Sequence, residues 1–139
     1  GFESGSYKQL NLKNVTFCGI VPRNVAPLFL AKCHVLLSTR IGGRFSGVQY
    51  PNKLSSYLAA SRPIISSDVG DQPIILEKAN CGIIFPAQSP KALAEAIVKI
   101  LKLPENERLQ MGINARHFAE EHLSVNILVK NLIEIYLKK

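Results

Sequence analysis

The side chains that could do chemistry in this sequence are gathered in one glycine-rich stretch, residues 42–53. The stretch contains three glycines and the cations Arg44 and Lys53, and it runs into a segment with apolar residues at helical spacing that ends before Pro63. Glycine lets the backbone come close to a ligand, and the free N–H groups at a helix start can face an anion. The stretch therefore predicts a site for a phosphorylated ligand. A surface loop with solvated cations is the alternative, which composition by itself slightly favours.

Positive charge is concentrated in the first half of the chain. The sequence has 17 Lys and Arg residues against 10 Asp and Glu, a formal net charge of +7. Eight of those cations, but only one acid, Glu3, fall in residues 1–62. Such a balance favours an anionic ligand or surface near this half. Nucleic acid is not the expected partner, because this half lacks interleaved aromatic residues and any helix dense in Lys and Arg.

Length and composition indicate one folded domain over residues 1–139. A chain of 139 residues can bury a core, and 47% hydrophobic residues argue against disorder. No apolar run approaches the length of a membrane span, and no signal peptide is visible, although a chain starting at Gly1 makes that absence weak evidence. The three cysteines are widely spaced in apolar surroundings, so we expect small buried thiols in a reducing compartment.

Short apolar runs alternate with helical patterns along the chain, which predicts a doubly wound α/β fold with a parallel sheet. The predicted strands are residues 15–19, 34–38, 63–67 and 82–85. The predicted helices are residues 22–32, the segment after the glycine loop, residues 73–80, a capped helix from Ser89-Pro90, and C-terminal helices over about 104–138.

Helical spacing also predicts which faces are buried. The residues of the predicted buried faces are Val25, Leu28 and Phe29; Leu93, Ala96, Ile97, Ile100 and Leu101; and Val125, Leu128, Val129, Leu132, Ile133 and Tyr136. Ligands of parallel sheets bind beyond the carboxyl ends of the strands. The glycine loop and the turn at residues 67–70 both follow strands, so we expect them to converge there.

Taken together, these segments resemble the C-terminal, donor-binding domain of group 1 glycosyltransferases of the retaining GT-B type (family GT4). The order and spacing of the motifs carry the resemblance, which covers residues 14–136. Pro51-Asn52-Lys53-Leu54 before the helix is similar to the branch that assembles capsule, colanic acid and O-antigen. The motifs are residues 14–19, 51–65, 67–70, 82–86, 89–97 and 111–116.

The resemblance implies a Rossmann-like domain that binds a nucleotide-diphosphate sugar as substrate, with no cofactor and no metal. It implies transfer of the sugar, with retention, to a sugar or lipid-linked acceptor during surface polysaccharide or glycolipid synthesis. We expect this work in the cytoplasm, with peripheral association at the inner face of the membrane as an alternative. The implied donor-binding residues are Arg44, Gly47, Val48, Asn52, Lys53 and Ser56, and no catalytic residue is assigned.

Two departures from the family pattern change these expectations. The family usually has two glutamates here, one near the donor sugar and one hydrogen-bonded to the ribose, but this chain has Val48 and Ser56. The two strands and the helix that normally open the domain, and the acceptor domain before them, are also missing from the sequence. We therefore expect an N-terminally truncated domain that is inactive alone and that self-associates through unpaired strand edges.

Two other functions remain open at this point. The missing glutamates favour a non-catalytic, degenerate sugar-nucleotide-binding or interaction module. A different doubly wound nucleotide enzyme is disfavoured, because neither G-x-G-x-x-G after a strand nor G-x-x-x-x-G-K-[ST] occurs. The nucleotide base, the sugar and the acceptor are not identified by the sequence.

Overall fold

The computed structural model describes residues 12–43 and 52–137. Within them, a parallel sheet has the strand order β1-β2-β3. The elements in chain order are α1 (Ala26–Lys32), β1 (Leu36–Ser38), α2 (Asn52–Ala59), β2 (Ile64–Ser67), α3 (Gln72–Ala79), β3 (Gly82–Phe85), α4 (Pro90–Lys102), α5 (Glu105–His122) and α6 (Val125–Leu137).

The predicted doubly wound architecture is confirmed, because helices cover both faces of the sheet. On one face α2, α3 and α5 pack together around Leu54, Leu58, Ile64 and Leu76, which are almost fully buried. On the other face α4 covers β2 and β3 through Ile100. Full burial of one such aliphatic side chain stabilises the fold by about 1.5–3 kcal/mol.

β2 and β3 approach each other closely where they begin. Ile64 is opposite Gly82 in the parallel ladder. A Cβ added to Gly82 would lie 1.8 Å from the carbonyl oxygen of Ile64, so only glycine fits at this position. The glycine that opens the predicted strand therefore has a packing role, and it allows the sheet to keep this register.

The predicted first strand is wrong. Residues 15–19 form no strand, and the backbone N–H of Val15 donates to Leu12 O at 3.2 Å. A β-strand forms only where a neighbouring strand provides partners for its backbone hydrogen bonds. No described residue pairs with this segment. β1 is also shorter than predicted, with His34 exposed and Leu37 40% exposed at the open edge of the described sheet.

The predicted start and face of the first helix need correction. α1 begins at Ala26 with Pro27 in its first turn, because the N–H groups of Val25 and Ala26 are taken up in a turn that closes on Pro22 O. Leu28 and Phe29, predicted to be buried, are 64% and 49% exposed.

The predicted buried stripe of the last helix is also wrong. The stripe residues of α6 are all exposed, and Leu101 on α4 is exposed as well. An amphipathic pattern shows which helix face could be buried, but burial also requires another element that packs against that face. No described residue covers this face of α6. Of the cysteines, Cys81 is buried as expected, whereas Cys33 is half-buried and Cys18 is exposed.

Candidate functional site

The candidate site lies at the edge of the sheet where the parallel strands end. The backbone N–H of Arg40, in the loop after β1, donates to Ser67 Oγ at the end of β2 over 2.9 Å. A Cβ added to Gly42 would lie 3.9 Å from Val69 Cγ2, so this loop rests on the turn that follows β2. The predicted convergence of the glycine loop with the 67–70 turn is confirmed for the described part of the loop.

The same edge is held to β3 by an aspartate. Asp68 Oδ1 accepts a hydrogen bond from the backbone N–H of Ala87 at 2.7 Å, and Asp68 N–H donates to Phe85 O at 3.0 Å. Its carboxylate therefore fixes the loop after β3 to the turn after β2. Asp68 therefore stabilises the turn at residues 67–70, a role that aspartate often has.

Lys53, in the first turn of α2, is influenced by a second cation, Arg40, in the loop after β1. The pKa of Lys53 is lowered, first because burial disfavours its ammonium and second because the Arg40 guanidinium is nearby. The first turn of α2 contains no acidic side chain, and its N–H groups point out of the helix start. An anion bound here would face two positive side chains and a helix N-terminus.

The predicted residues Asn52, Lys53 and Ser56 occupy the first two turns of α2, and all three are exposed. Ser56 opens onto a 660 Å³ groove between α1 and α2, whose wall includes Arg23 and Arg116. One helix therefore presents its lysine near Arg40 and, one turn later, a hydroxyl to the groove beside α1.

Three other predicted residues, Arg44, Gly47 and Val48, lie outside the described residues. Arg40 was not predicted as a site residue. The signal that could have found it is its position two residues after a buried strand, since the loops at strand carboxyl ends carry ligand contacts in parallel sheets.

A second cavity of 420 Å³ lies on the α4 side of the same edge, and its wall is mostly apolar. Arg40 borders this cavity, whereas the groove beside α1 is lined by other residues. The residues around the cavity are Thr39, Arg40, Ile41, Phe85, Gln88, Ser89, Pro90 and Leu93.

The described residues contain no cluster of three His, Cys, Asp or Glu side chains able to hold a metal ion. In the same part of the chain, no helix combines the length and the hydropathy needed to cross a bilayer.

Known proteins are similar to this chain in sequence. A family model described as glycosyl transferases group 1 matches residues 3–103. Spore coat protein SA of Bacillus subtilis (strain 168) is 29% identical over 127 residues, which are 90% of this chain and 32% of that protein.

Two solved structures superpose on nearly all of the chain. Anabaena Alr3699/HepE in complex with UDP gives a TM-score of 0.81 at 17% identity, covering 98% of this chain and 36% of that one. WaaG, described as a glycosyltransferase involved in lipopolysaccharide biosynthesis, gives 0.66 at 24% identity, covering 94% and 33%. The chain spans about a third of the length of each of these relatives.

The structural likeness agrees with the Rossmann-like fold of a GT-B C-terminal domain, and the family model covers well over half of the residues. The chain therefore belongs to the group 1 glycosyl transferases.

Proposed function

We propose that this chain is the donor-binding domain of a retaining glycosyltransferase and that it binds the diphosphate of a nucleotide-diphosphate sugar at the start of α2. The observation that carries the proposal is the pair of cations, Arg40 and Lys53, beside the N-terminus of that helix. Family membership supports sugar transfer, and a relative of the same fold has been solved with UDP.

The chemistry of sugar transfer explains why cations are needed there. The bond between the anomeric carbon and the phosphate oxygen breaks, the acceptor oxygen bonds to that carbon, and the acceptor hydroxyl proton passes to the departing diphosphate. The leaving nucleoside diphosphate gains negative charge as this bond breaks. Fixed positive groups aimed at that charge lower the barrier without reorganising. Lys53, Arg40 and the helix N–H groups would supply this stabilisation without a metal ion.

We place the nucleoside along α2, next to the diphosphate. Ser56 lies one helical turn after Lys53 and faces the groove beside α1, which supports a hydrogen bond to a ribose hydroxyl. A neutral bond of this kind contributes about 0.5–1.5 kcal/mol, whereas a charge-assisted bond to phosphate contributes about 1.5–3 kcal/mol. Arg44, Gly47 and Val48 would complete the site from the loop that precedes α2.

We extend the proposal to an acceptor in surface polysaccharide or glycolipid synthesis, a sugar or a lipid-linked sugar held by another domain. The Pro51-Asn52-Lys53-Leu54 motif supports this context. So does the likeness to WaaG, whose description places that protein in lipopolysaccharide biosynthesis. A cytoplasmic site of action, with peripheral contact to the inner face of the membrane, is part of the same proposal.

A second candidate function is a non-catalytic sugar-nucleotide-binding or interaction module. The observation that favours it is that Val48 and Ser56 stand where the family usually has glutamates. Sugar transfer by the full-length protein, with UDP- and GDP-sugars as donors, separates the two functions. A protein that binds the nucleotide but transfers no sugar would be such a module.

The binding site is tested by titrating UDP and GDP into the full-length protein and its variants. We expect Lys53→Ala to weaken binding more than tenfold, because tenfold corresponds to about 1.4 kcal/mol and a charge-assisted contact exceeds that value. We expect Ser56→Ala to weaken binding less than tenfold, because only a neutral hydrogen bond is lost. Lys91→Ala is the matched control, since Lys91 is also an exposed lysine near a helix start, and its affinity should stay within about twofold of wild type.

Alkaline pH gives an independent test of the same contact. The pKa of Lys53 is lowered, so its charge is lost earlier than that of an ordinary lysine as pH rises. Affinity for UDP should therefore fall at alkaline pH in the wild type and fall later in Lys53→Arg, whose guanidinium stays protonated. A larger loss of affinity in Ser56→Ala than in Lys53→Ala, or equal losses in Lys53→Ala and Lys91→Ala, would refute the assignment of Lys53 to the phosphates.

A further inference from the structure

A fully buried glutamine lies beneath the candidate site. Gln72 opens α3 and has no exposed surface. Its Nε2 donates to Ser67 O at 3.4 Å and to Val69 O at 3.3 Å, and its Oε1 accepts from the hydroxyl of Ser38. The amide thus joins the ends of β1 and β2 to the start of α3.

The chemistry of these partners requires an amide at this position. The Val69 carbonyl accepts a hydrogen bond and the Ser38 hydroxyl donates one, and one orientation of a carboxamide serves both; Ser67 O accepts from the Ser66 hydroxyl at 3.0 Å as well as from Gln72. A glutamate would turn acceptor oxygens towards two carbonyl oxygens. An apolar residue of the same length would leave both carbonyls without this partner in a buried place.

The hydrogen bonds of Gln72 continue to the candidate site. Ser67, whose carbonyl Gln72 holds, accepts the backbone N–H of Arg40 on its Oγ at 2.9 Å, and the same hydroxyl lies 3.5 Å from Ser38 O. Val69, the other carbonyl partner, packs beside Gly42 in the same loop. The position of the Arg40 backbone therefore depends on a turn that Gln72 fixes.

We propose that Gln72 is a positioning residue for the anion site, which sets the place of Arg40 relative to Lys53 through Ser67 and the turn after β2. The inference rests on the proposed function for its ligand, a nucleoside diphosphate. Gln72 does not touch the ligand, because it is enclosed below the loop that carries Arg40.

The test compares Gln72→Met with wild type in the full-length protein. Methionine keeps the length of the side chain and removes both donors. We expect the Kd for UDP to rise roughly three- to tenfold. This loss of affinity is smaller than that for removal of a charge-assisted contact, because Arg40 would be displaced but still present. In an Arg40→Ala background the same change should alter the Kd less than twofold, because the group that it positions is gone.

Amide hydrogen exchange supplies a readout that needs no ligand. In Gln72→Met the Arg40 N–H should exchange faster, while amides in the middle of α4 keep their rates. Ile100→Val is the control for general destabilisation, since it removes a buried methyl on the other face of the sheet and should leave both the Kd and the Arg40 exchange rate unchanged. If Gln72→Met does not fold, Ser67→Ala removes the acceptor of the Arg40 N–H and should show the same two effects.

Each outcome bears on a different claim. A wild-type protein that binds neither UDP nor GDP would overturn the proposed function together with the ligand that this inference assumes. Normal wild-type binding with an unchanged Kd and an unchanged Arg40 exchange rate in the variants would overturn the positioning role alone. A loss of affinity in Gln72→Met that persists undiminished in the Arg40→Ala background would also overturn it.

Discussion

Gly112 determines how closely α5 can lie against the end of α2, the helix that presents Asn52, Lys53 and Ser56. A Cβ added to Gly112 would lie 2.4 Å from Ser61 O and 2.9 Å from the carbonyl carbon of Ser61. Ser61 is itself held in the left-handed region at φ 57°, and its Oγ donates to Gly112 O at 3.0 Å. Both sides of the contact are backbone, so neither can rotate away from an added methyl group.

The size of the effect of Gly112→Ala follows from two opposed contributions. Forcing a methyl group into a filled contact costs about 1–3 kcal/mol, and a clash between two backbones belongs at the upper end of that range. Replacing glycine by alanine inside a helix stabilises the helix by about 1 kcal/mol, because alanine has the higher helix propensity. We expect a net loss of about 2 kcal/mol in the free energy of unfolding, which lowers Tm by roughly 6–8 °C.

Urea denaturation and calorimetry of Gly112→Ala measure this loss. Gly43→Ala is the matched control, because a Cβ there meets no atom within 4 Å, and its stability should stay within about 0.5 kcal/mol of wild type. A Tm for Gly112→Ala within about 2 °C of wild type would show that α2 and α5 can move apart without cost, and the reasoning from this contact would then be wrong.

Three further predictions concern stability and association. Ser89→Ala removes the side-chain cap that accepts Ala92 N–H at 3.2 Å. Urea denaturation should show a loss of about 1 kcal/mol in the free energy of unfolding, and an unchanged midpoint would show that the cap does not stabilise the fold. Burial raises the pKa of Cys81 to about 12, so above pH 9 the unfolded chain loses a proton that the folded chain keeps. The free energy of unfolding should then fall by about 1.4 kcal/mol per pH unit, and Cys81→Ala should lack this slope when both are unfolded in urea at a series of pH values. The isolated chain should self-associate in sedimentation experiments, because among residues 12–43 and 52–137 nothing pairs with the outer edge of β1 or covers the apolar face of α6. A monomer at all concentrations would contradict this prediction.

Several elements could be predicted from the sequence to within a residue or two, because their signals are local. Ser89 caps α4 as expected and β3 has the predicted bounds. β2 differs by one residue at its start, and α3 differs by one residue at each end. Turn residues, prolines and helical periodicity act within a few positions of the chain, so they need no partner to be interpreted. The order of the motifs also indicated the family, whereas the roles of Asn52, Lys53 and Ser56 in binding the ligand stay predictions.

Contacts between distant residues were decided by the tertiary structure alone. The apolar run at residues 15–19 is not a strand and the stripe of α6 is not buried, since a ladder and a covered face both require a second surface. Arg40 lies 13 positions before Lys53 in the sequence, and their proximity arises because β1 ends where α2 begins. Gln72 joins the site for the same reason, since three parallel strands end at one edge and bring together loops that the sequence keeps apart.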